Sequence, residues 1–298
     1  MPKQTSSTGI RGPQGSRQSA TVELRTPADQ GFELSSERVE SVASPVVIFG
    51  APRSGTTYVN AILNAHPRVH ITHETRLFMW AHLTLGTLEN DHVALTHREE
   101  FKEYLKPQLA VLIRGFYKKL DPSAAVWGDK NPHYAAPRAE GVLETVADLF
   151  PEARFIHIVR DGRDVVASLV RKRTKDGVPW VSFETAHQVW NGHVNGGLKF
   201  AKDAASGSVL EVRYEELIAD DVGMARRMCD FIGIDCHPQV IEFCEGQREE
   251  RTPMQGPTRD LSHGVDQSDW ETVVSEQGRR AESLELLREN LVRCGYRV

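Results

Sequence analysis

No stretch of the sequence approaches the ~18 consecutive apolar residues of a membrane-spanning helix, so no spanning architecture is expected. The N-terminus does not read as a secretory leader either, because Lys3, Arg11 and Arg17 are followed by no apolar core. Cysteine is scarce. Cys229, Cys236, Cys244 and Cys294 include no Cys-x-x-Cys pair, which argues against a zinc site or a disulfide framework and fits a reducing, cytoplasmic setting. Basic charge is not in excess: 36 Lys and Arg against 41 Asp and Glu leave a net charge of −5, unsuited to coating nucleic acid or anionic lipid. Any anion site must therefore be local. What remains, at 40% hydrophobic and 26% charged residues, is the composition of a globular protein.

Residues 1–40, rich in Ser, Gly, Gln, Thr and Arg, carry little apolar periodicity to offset the entropy of ordering, and are expected to be a flexible arm. Residues 41–298 are expected to form a single domain. Val46 to Gly50 reads as a buried strand, and Tyr58, Val59, Ile62 and Leu63 recur at helical spacing until His66-Pro67. The alternation continues with strands at Val69 to Ile71, Ala124 to Gly128, Arg154 to Val159 and Ser208 to Val212. Helices are expected at Leu77 to Leu88, Glu99 to Leu120, Gly141 to Phe150, Asp164 to Arg173, Phe183 to Lys202, Val222 to Ile232 and Gly278 to Arg293. Pro238 to Trp270 is expected to be irregular. Strands alternating with helices predict an α/β fold, a parallel sheet with helices on both faces.

Two constellations stand at strand ends. Gly50-Ala51-Pro52-Arg53-Ser54-Gly55-Thr56-Thr57 has the Gly-x4-Gly frame of a phosphate loop between a strand and a helix. Thr56 occupies the position where a nucleoside-triphosphatase carries lysine, and the loop's positive charge sits at Arg53 instead. Such a loop suits an anion less highly charged than a magnesium triphosphate. The bland alternative is a tight turn whose Ser and Thr cap the helix. The second constellation, Arg160-Asp161-Gly162-Arg163-Asp164, follows another strand and opens a helix bearing Ser168, with Arg171, Lys172, Arg173 and Lys175 beyond. In an open parallel sheet both must face the carboxyl edge of the strands, where ligands bind. Two anion sites on one edge imply a nucleoside with phosphates at both ends. Phe78, Met79, Trp80 and Trp180 are spaced for core packing first and for walls of a pocket second. Pro67 argues against a helix bringing His66, His70 and His73 onto one metal ion.

These residues resemble the sulfotransferases that use 3'-phosphoadenosine-5'-phosphosulfate (PAPS), most closely the tyrosylprotein branch, as a soluble, bacterial-type member. Pro52 to Thr57 resembles the family's 5'-phosphosulfate motif, and Arg160 with Ser168 its 3'-phosphate motif. Ala65-His66-Pro67, Glu74-Thr75-Arg76, Lys130-Asn131-Pro132, Val159 to Arg163 and Arg213-Tyr214-Glu215-Glu216-Leu217 are similar to further family segments. Where the related branch carries Lys before a C-terminal tryptophan, this chain has Asp269.

The resemblance implies a P-loop-type sheet of the sulfotransferase fold. It also implies transfer of a sulfuryl group from PAPS to a hydroxyl of a small molecule, glycan or peptide, releasing adenosine 3',5'-bisphosphate without a metal. Arg53, Ser54, Gly55, Thr56, Thr57, Arg160, Ser168, Lys172 and Tyr214 would hold the nucleotide. Arg53 and Lys130 would stabilise the leaving oxygen, and Glu74 would be the general base, with His73 and His70 as rivals. A P-loop kinase and a noncatalytic nucleotide-binding protein are the competing readings.

Overall fold

The computed structural model describes residues 45–89, 96–250 and 267–298. The arm expected over residues 1–40 lies outside them. Five strands, β1 (Val46–Gly50), β2 (Val69–His73), β3 (Val126–Lys130), β4 (Arg154–Val159) and β5 (Val209–Arg213), form one sheet in the order β2-β3-β1-β4-β5. Every neighbouring pair is parallel.

Side chains alternate across this sheet, as the pleat requires. Val46, Ile48, Ile156 and Ile158 enter one core with α1 (Thr56–Asn64), α8 (Asp221–Ile232) and α9 (Pro238–Glu250). Val47, Phe49 and Phe155 enter the opposite core with α2 (Leu77–Glu89), α3 (Arg98–Leu120) and α4 (Val142–Leu149). A third cluster joins α5 (Gly162–Arg171), α6 (Phe183–Asp203) and α11 (Arg280–Arg293) through Val165, Trp190 and Leu287. Helices thus cover both faces, and β1 lies at the centre with all five residues buried.

Two expectations need correction. The stretch from Pro238, expected to be irregular, begins with α9: proline is tolerated in a first helical turn, and Val240 and Cys244, four residues apart, bury one face against the first core. Residues 251–266 of that stretch lie outside the described residues, and α10 (Gln267–Gln277) closes it, with Trp270 packed beside Phe183. A short helix, α7 (Tyr214–Ala219), follows β5 directly. Finally, β3 does not stop before its charged pair. Asp129 and Lys130 stay in the ladder, opposite Val47 and Ile48 of β1, because each finds partners inside the fold.

Gly128 marks the closest approach within the sheet. A Cβ added there would lie 1.8 Å from the Val46 carbonyl oxygen of the neighbouring strand, so the ladder would have to part. Gly128→Ala is expected to destabilise the fold by at least about 3 kcal/mol, read from the shift in the urea unfolding midpoint. Gly246→Ala, inside α9 where an added Cβ meets nothing within 4 Å, is the control and should leave the midpoint in place or raise it through the helix propensity of alanine.

Candidate active site

All five strands end on one edge, and each delivers a piece of one cleft. In spatial order these are His73 at the end of β2 with Glu74 after it, Lys130 at the end of β3, the loop after β1, Arg160 after β4 and Tyr214 after β5. The cleft has a volume of about 230 Å³.

The central loop folds back through Ser54 N–H to the Ala51 carbonyl at 3.1 Å. Arg53 (φ 73°) and Gly55 (φ 97°) take the left-handed conformation, which is costly for a residue with a side chain and turns the backbone sharply into α1. Glycine is required at position 55 for a second reason, because a Cβ there would lie 2.4 Å from the Tyr214 ring. The first turn of α1 contains no acidic residue, and its N-cap, Gly55, has no side chain to cap it. The tight turn of the bland reading is present, but the capping position is held by glycine and not by a hydroxyl. Ser54 Oγ is buried with no hydrogen-bond partner among the described residues.

Beside the loop, Arg160 donates from Nη1 to the Arg53 carbonyl at 3.1 Å, and its guanidinium carbon lies 4.4 Å from the centre of the Tyr214 ring. Asp164 Oδ2 stands 3.6 Å from Arg160 Nη2. Burial raises the Asp164 carboxyl to about 6, with the charge of Arg160 pulling against it. Arg160 Nε is buried and has no hydrogen-bond partner among the described residues. Arg53 Nε donates to Ser168 Oγ at 3.0 Å. The two constellations, expected at opposite ends of a nucleoside, are thus stitched together through Arg53, whose carbonyl meets one member of the second motif and whose side chain meets the other.

On the opposite side of the loop, Lys130 is almost fully buried, with 1% of its side chain exposed, and its Nζ donates to Glu74 Oε1 at 2.9 Å and to His73 Nε2 at 2.7 Å. Burial lowers the Lys130 ammonium, and Glu74 opposes that fall. Burial alone would raise Glu74, but the hydrogen bond and charge of Lys130 outweigh it and hold the carboxylate below its ordinary value. His73 is lowered by burial and then by the Lys130 charge.

The turn carrying Glu74 is held by Asp129. This buried carboxylate accepts from Thr72 Oγ1 at 2.8 Å, from the Thr75 N–H at 3.2 Å and from the Tyr134 hydroxyl at 2.6 Å. The clamp keeps Glu74 (φ 58°) and Arg76 (φ 59°) in the left-handed region.

Arg53, Gly55, Thr56, Thr57, Glu74, Lys130, Arg160, Lys172 and Tyr214 all line the cleft, whereas Ser54 and Ser168 are not part of its lining. Lys172 stands 3.9 Å from the centre of the Trp180 ring, and both belong to the wall. Of the rival bases, His73 lines the cleft and His70 faces Asp121 instead, at 3.7 Å. His66 turns its Nδ1 to the Arg68 N–H, so the three histidines weighed for a metal go to three separate partners. Phe78 is core, as its spacing suggests, but Trp80 is 45% exposed. Sequence reasoning missed His133, which lines the cleft three residues after Lys130, and Asp129, which touches no ligand space but fixes the Glu74 turn.

Comparison with known proteins adds to this geometry. The family model described as "Sulfotransferase family" matches residues 45–238. The protein-tyrosine sulfotransferase of Drosophila melanogaster is 29% identical over 204 residues, covering 67% of this chain and 40% of that protein. Protein-tyrosine sulfotransferase 1 of Danio rerio is 29% identical over 225 residues, covering 72% of this chain and 60% of that protein. The chain thus spans about half the length of these curated relatives. Among solved structures, the sulfotransferase domain of the Synechococcus PCC 7002 olefin synthase superposes with a TM-score of 0.56 at 21% identity, covering 83% of this chain and 94% of that one. The sulfotransferase domain of the curacin biosynthetic pathway superposes with a TM-score of 0.54 at 19% identity, covering 86% and 99%. These structures share the fold.

Proposed function

Because the chain belongs to the sulfotransferase family, we propose that its cleft moves a sulfuryl group from PAPS to an acceptor hydroxyl. The observation that carries this reading is the set of donors left unmatched beside the loop. Arg160, which lines the cleft, keeps its Nε without a hydrogen-bond partner among the described residues, next to a helix N-terminus whose N-cap, Gly55, has no side chain to cap it. Each unmet buried donor costs about 1–3 kcal/mol, which a bound anion offsets. Arg53, Lys130, Arg160 and Lys172 face it against Glu74 alone, so the lining favours an anion. Thr56 in place of a lysine disfavours a triphosphate.

Bound PAPS supplies the sulfuryl group. The loop N–H groups, Thr56 and Thr57 hold the 5' end, while Arg160 and Lys172, with Ser168 behind them accepting from Arg53, hold the 3' end beside Tyr214. Arg53, bonded both to Ser168 and to Arg160, ties the two grips into one rigid cradle. Lys130 donates a hydrogen bond to the departing oxygen, and Glu74 takes the acceptor's proton. The resting ion pair couples these two tasks. When Lys130 turns toward an anion, Glu74 loses the partner that holds its basicity down, and becomes a better proton acceptor.

Acceptors carrying a small-molecule, glycan or peptide hydroxyl fit this chemistry, and protein tyrosine, which the relatives' names carry, is one of the first to try. The test is transfer of radiolabelled sulfate from PAPS to an acceptor panel, alongside calorimetry with adenosine 3',5'-bisphosphate. Transfer together with tight nucleotide binding is the expected result. Magnesium-dependent ATP consumption without sulfate transfer would support a kinase, and tight binding without any turnover would support a noncatalytic binder.

A further inference from the structure

His133 enters the cleft from the 3-10 turn Pro132–Ala135, and the reaction outlined above does not use it. Its ring is held from behind by a second histidine. His193, on α6, lies 2.6 Å from the Val189 carbonyl through Nδ1. A carbonyl oxygen only accepts, so that nitrogen carries the proton. Burial lowers His193 to about 4, so its ring is neutral at neutral pH and its Nε2 is a bare lone pair. That lone pair stands 3.3 Å from His133 Nδ1, and the bond between them can run in one direction only, with His133 donating.

His133 is lowered by burial and by the charge of Arg138, with Glu74 opposing and Arg76 and Lys130 adding to the fall. A neutral ring whose proton sits on Nδ1 has an acceptor at Nε2. No hydrogen bond to this Nε2 is made by the described residues. The other imidazole at this end is engaged, since His73 Nε2 accepts from Lys130. Glu74 Oε1 accepts from Lys130 as well, which leaves Oε2 for the reacting hydroxyl. A hydroxyl has one proton to donate, so the group that serves Glu74 cannot also serve His133. Both residues line the same cleft of about 230 Å³, within the span of one small molecule.

We propose that His133 Nε2 is a substrate-binding hydrogen-bond acceptor, and that the acceptor molecule offers it a second hydroxyl next to the one that is sulfated, as a vicinal diol does. His193 is the positioning residue that fixes the tautomer. The proposal rests on the sulfuryl-transfer reading of the cleft and names the acceptor chemistry within it.

Nitrogen NMR of the histidines in the full chain, saturated with adenosine 3',5'-bisphosphate, reads the tautomer without any turnover. Catechol, 2-methoxyphenol and 1,2-dimethoxybenzene are probes of one shape with two, one and no hydroxyl donors. The expected result is a His133 ring protonated on Nδ1, with an Nε2 resonance that moves on adding catechol and stays in place with 1,2-dimethoxybenzene. His193→Phe should leave a mixture of tautomers. In sulfate transfer, His133→Phe should raise the catechol KM roughly 10-fold with little change in the PAPS KM, and erase the preference for catechol over 2-methoxyphenol. His133→Gln, which keeps an acceptor oxygen, should restore part of that preference. A proton found on Nε2, a ring charged at neutral pH, or an Nε2 resonance indifferent to catechol overturns the proposal. The expected tautomer and catechol shift with no sulfate transfer to any acceptor would instead count against the reaction.

Discussion

Glu74→Gln is expected to lower kcat by about 100- to 10,000-fold while the affinity for adenosine 3',5'-bisphosphate stays within a factor of about two. Glutamine keeps an oxygen for the Lys130 hydrogen bond, and Asp129 still clamps the turn through Thr72 and Thr75, so the geometry survives. What is lost is a group able to hold the acceptor's proton. The pH profile carries the same information. Lys130 holds Glu74 below the ordinary carboxylate range despite burial, so the acid limb of kcat/KM in the parent falls below that range. Activity is lost as pH drops through this lowered value, and the limb disappears in Glu74→Gln. Stopped assays across pH 3 to 8, with nucleotide binding measured in parallel, check both parts. A larger fall in His73→Gln than in Glu74→Gln would transfer the role to the histidine, and a loss of nucleotide affinity in Glu74→Gln equal to that in Arg160→Ala would break the separation between acceptor and nucleotide sides.

Arg160→Ala has the opposite signature. Nucleotide affinity falls by about 10- to 100-fold, while kcat at saturating PAPS changes much less, because a charge-assisted contact remote from the acceptor side is removed. Three attachments go with it: the bond to the Arg53 carbonyl, the packing on Tyr214 and the charge facing Asp164. Asp164 already titrates near 6 through burial, and without Arg160 it rises further, so the carboxyl becomes neutral and the fold is not left with a naked buried charge. The informative measurement is the ratio of affinities for adenosine 3',5'-bisphosphate and adenosine 5'-monophosphate by calorimetry. A high ratio in the parent and a ratio near one in Arg160→Ala is expected. Equal affinity for both nucleotides in the parent would sink the assignment of Arg160 and Ser168 to a 3' phosphate.

Much of this site was legible because it sits at strand ends. An apolar run followed by Gly or a charged turn marks such an end, and the carboxyl edge of a parallel sheet brings those turns together whatever their separation in the chain. Arg53, Lys130 and Arg160 could be put on one edge for that reason alone. The contacts beyond that edge left no trace in spacing. Arg53 reaching Ser168 spans 115 positions and His133 reaching His193 spans 60, and neither pair has a motif. Charge also misled. Asp129 and Lys130 looked like a strand terminus, since buried ions are costly, and only their partners Thr72, Tyr134 and Glu74 explain why the strand continues through them. Proline misled at position 238 in the same way, since a residue that ends helices also starts them.

The row of strand ends divides the protein's labour in a way that bears on how new specificities arise. On the proposed reading, donor handling falls to the loops after β1, β4 and β5 and to Lys130 at the end of β3, whereas acceptor handling falls to Glu74 after β2 and His133 after β3. Changes at well-separated positions combine additively. Outside the Lys130–Glu74 pair, the turns after β2 and β3 can therefore drift, lengthen or be exchanged for those of a cousin without disturbing the grip on the shared donor. A scaffold built this way diversifies by retailoring one flank, generation after generation, while the other stays in service.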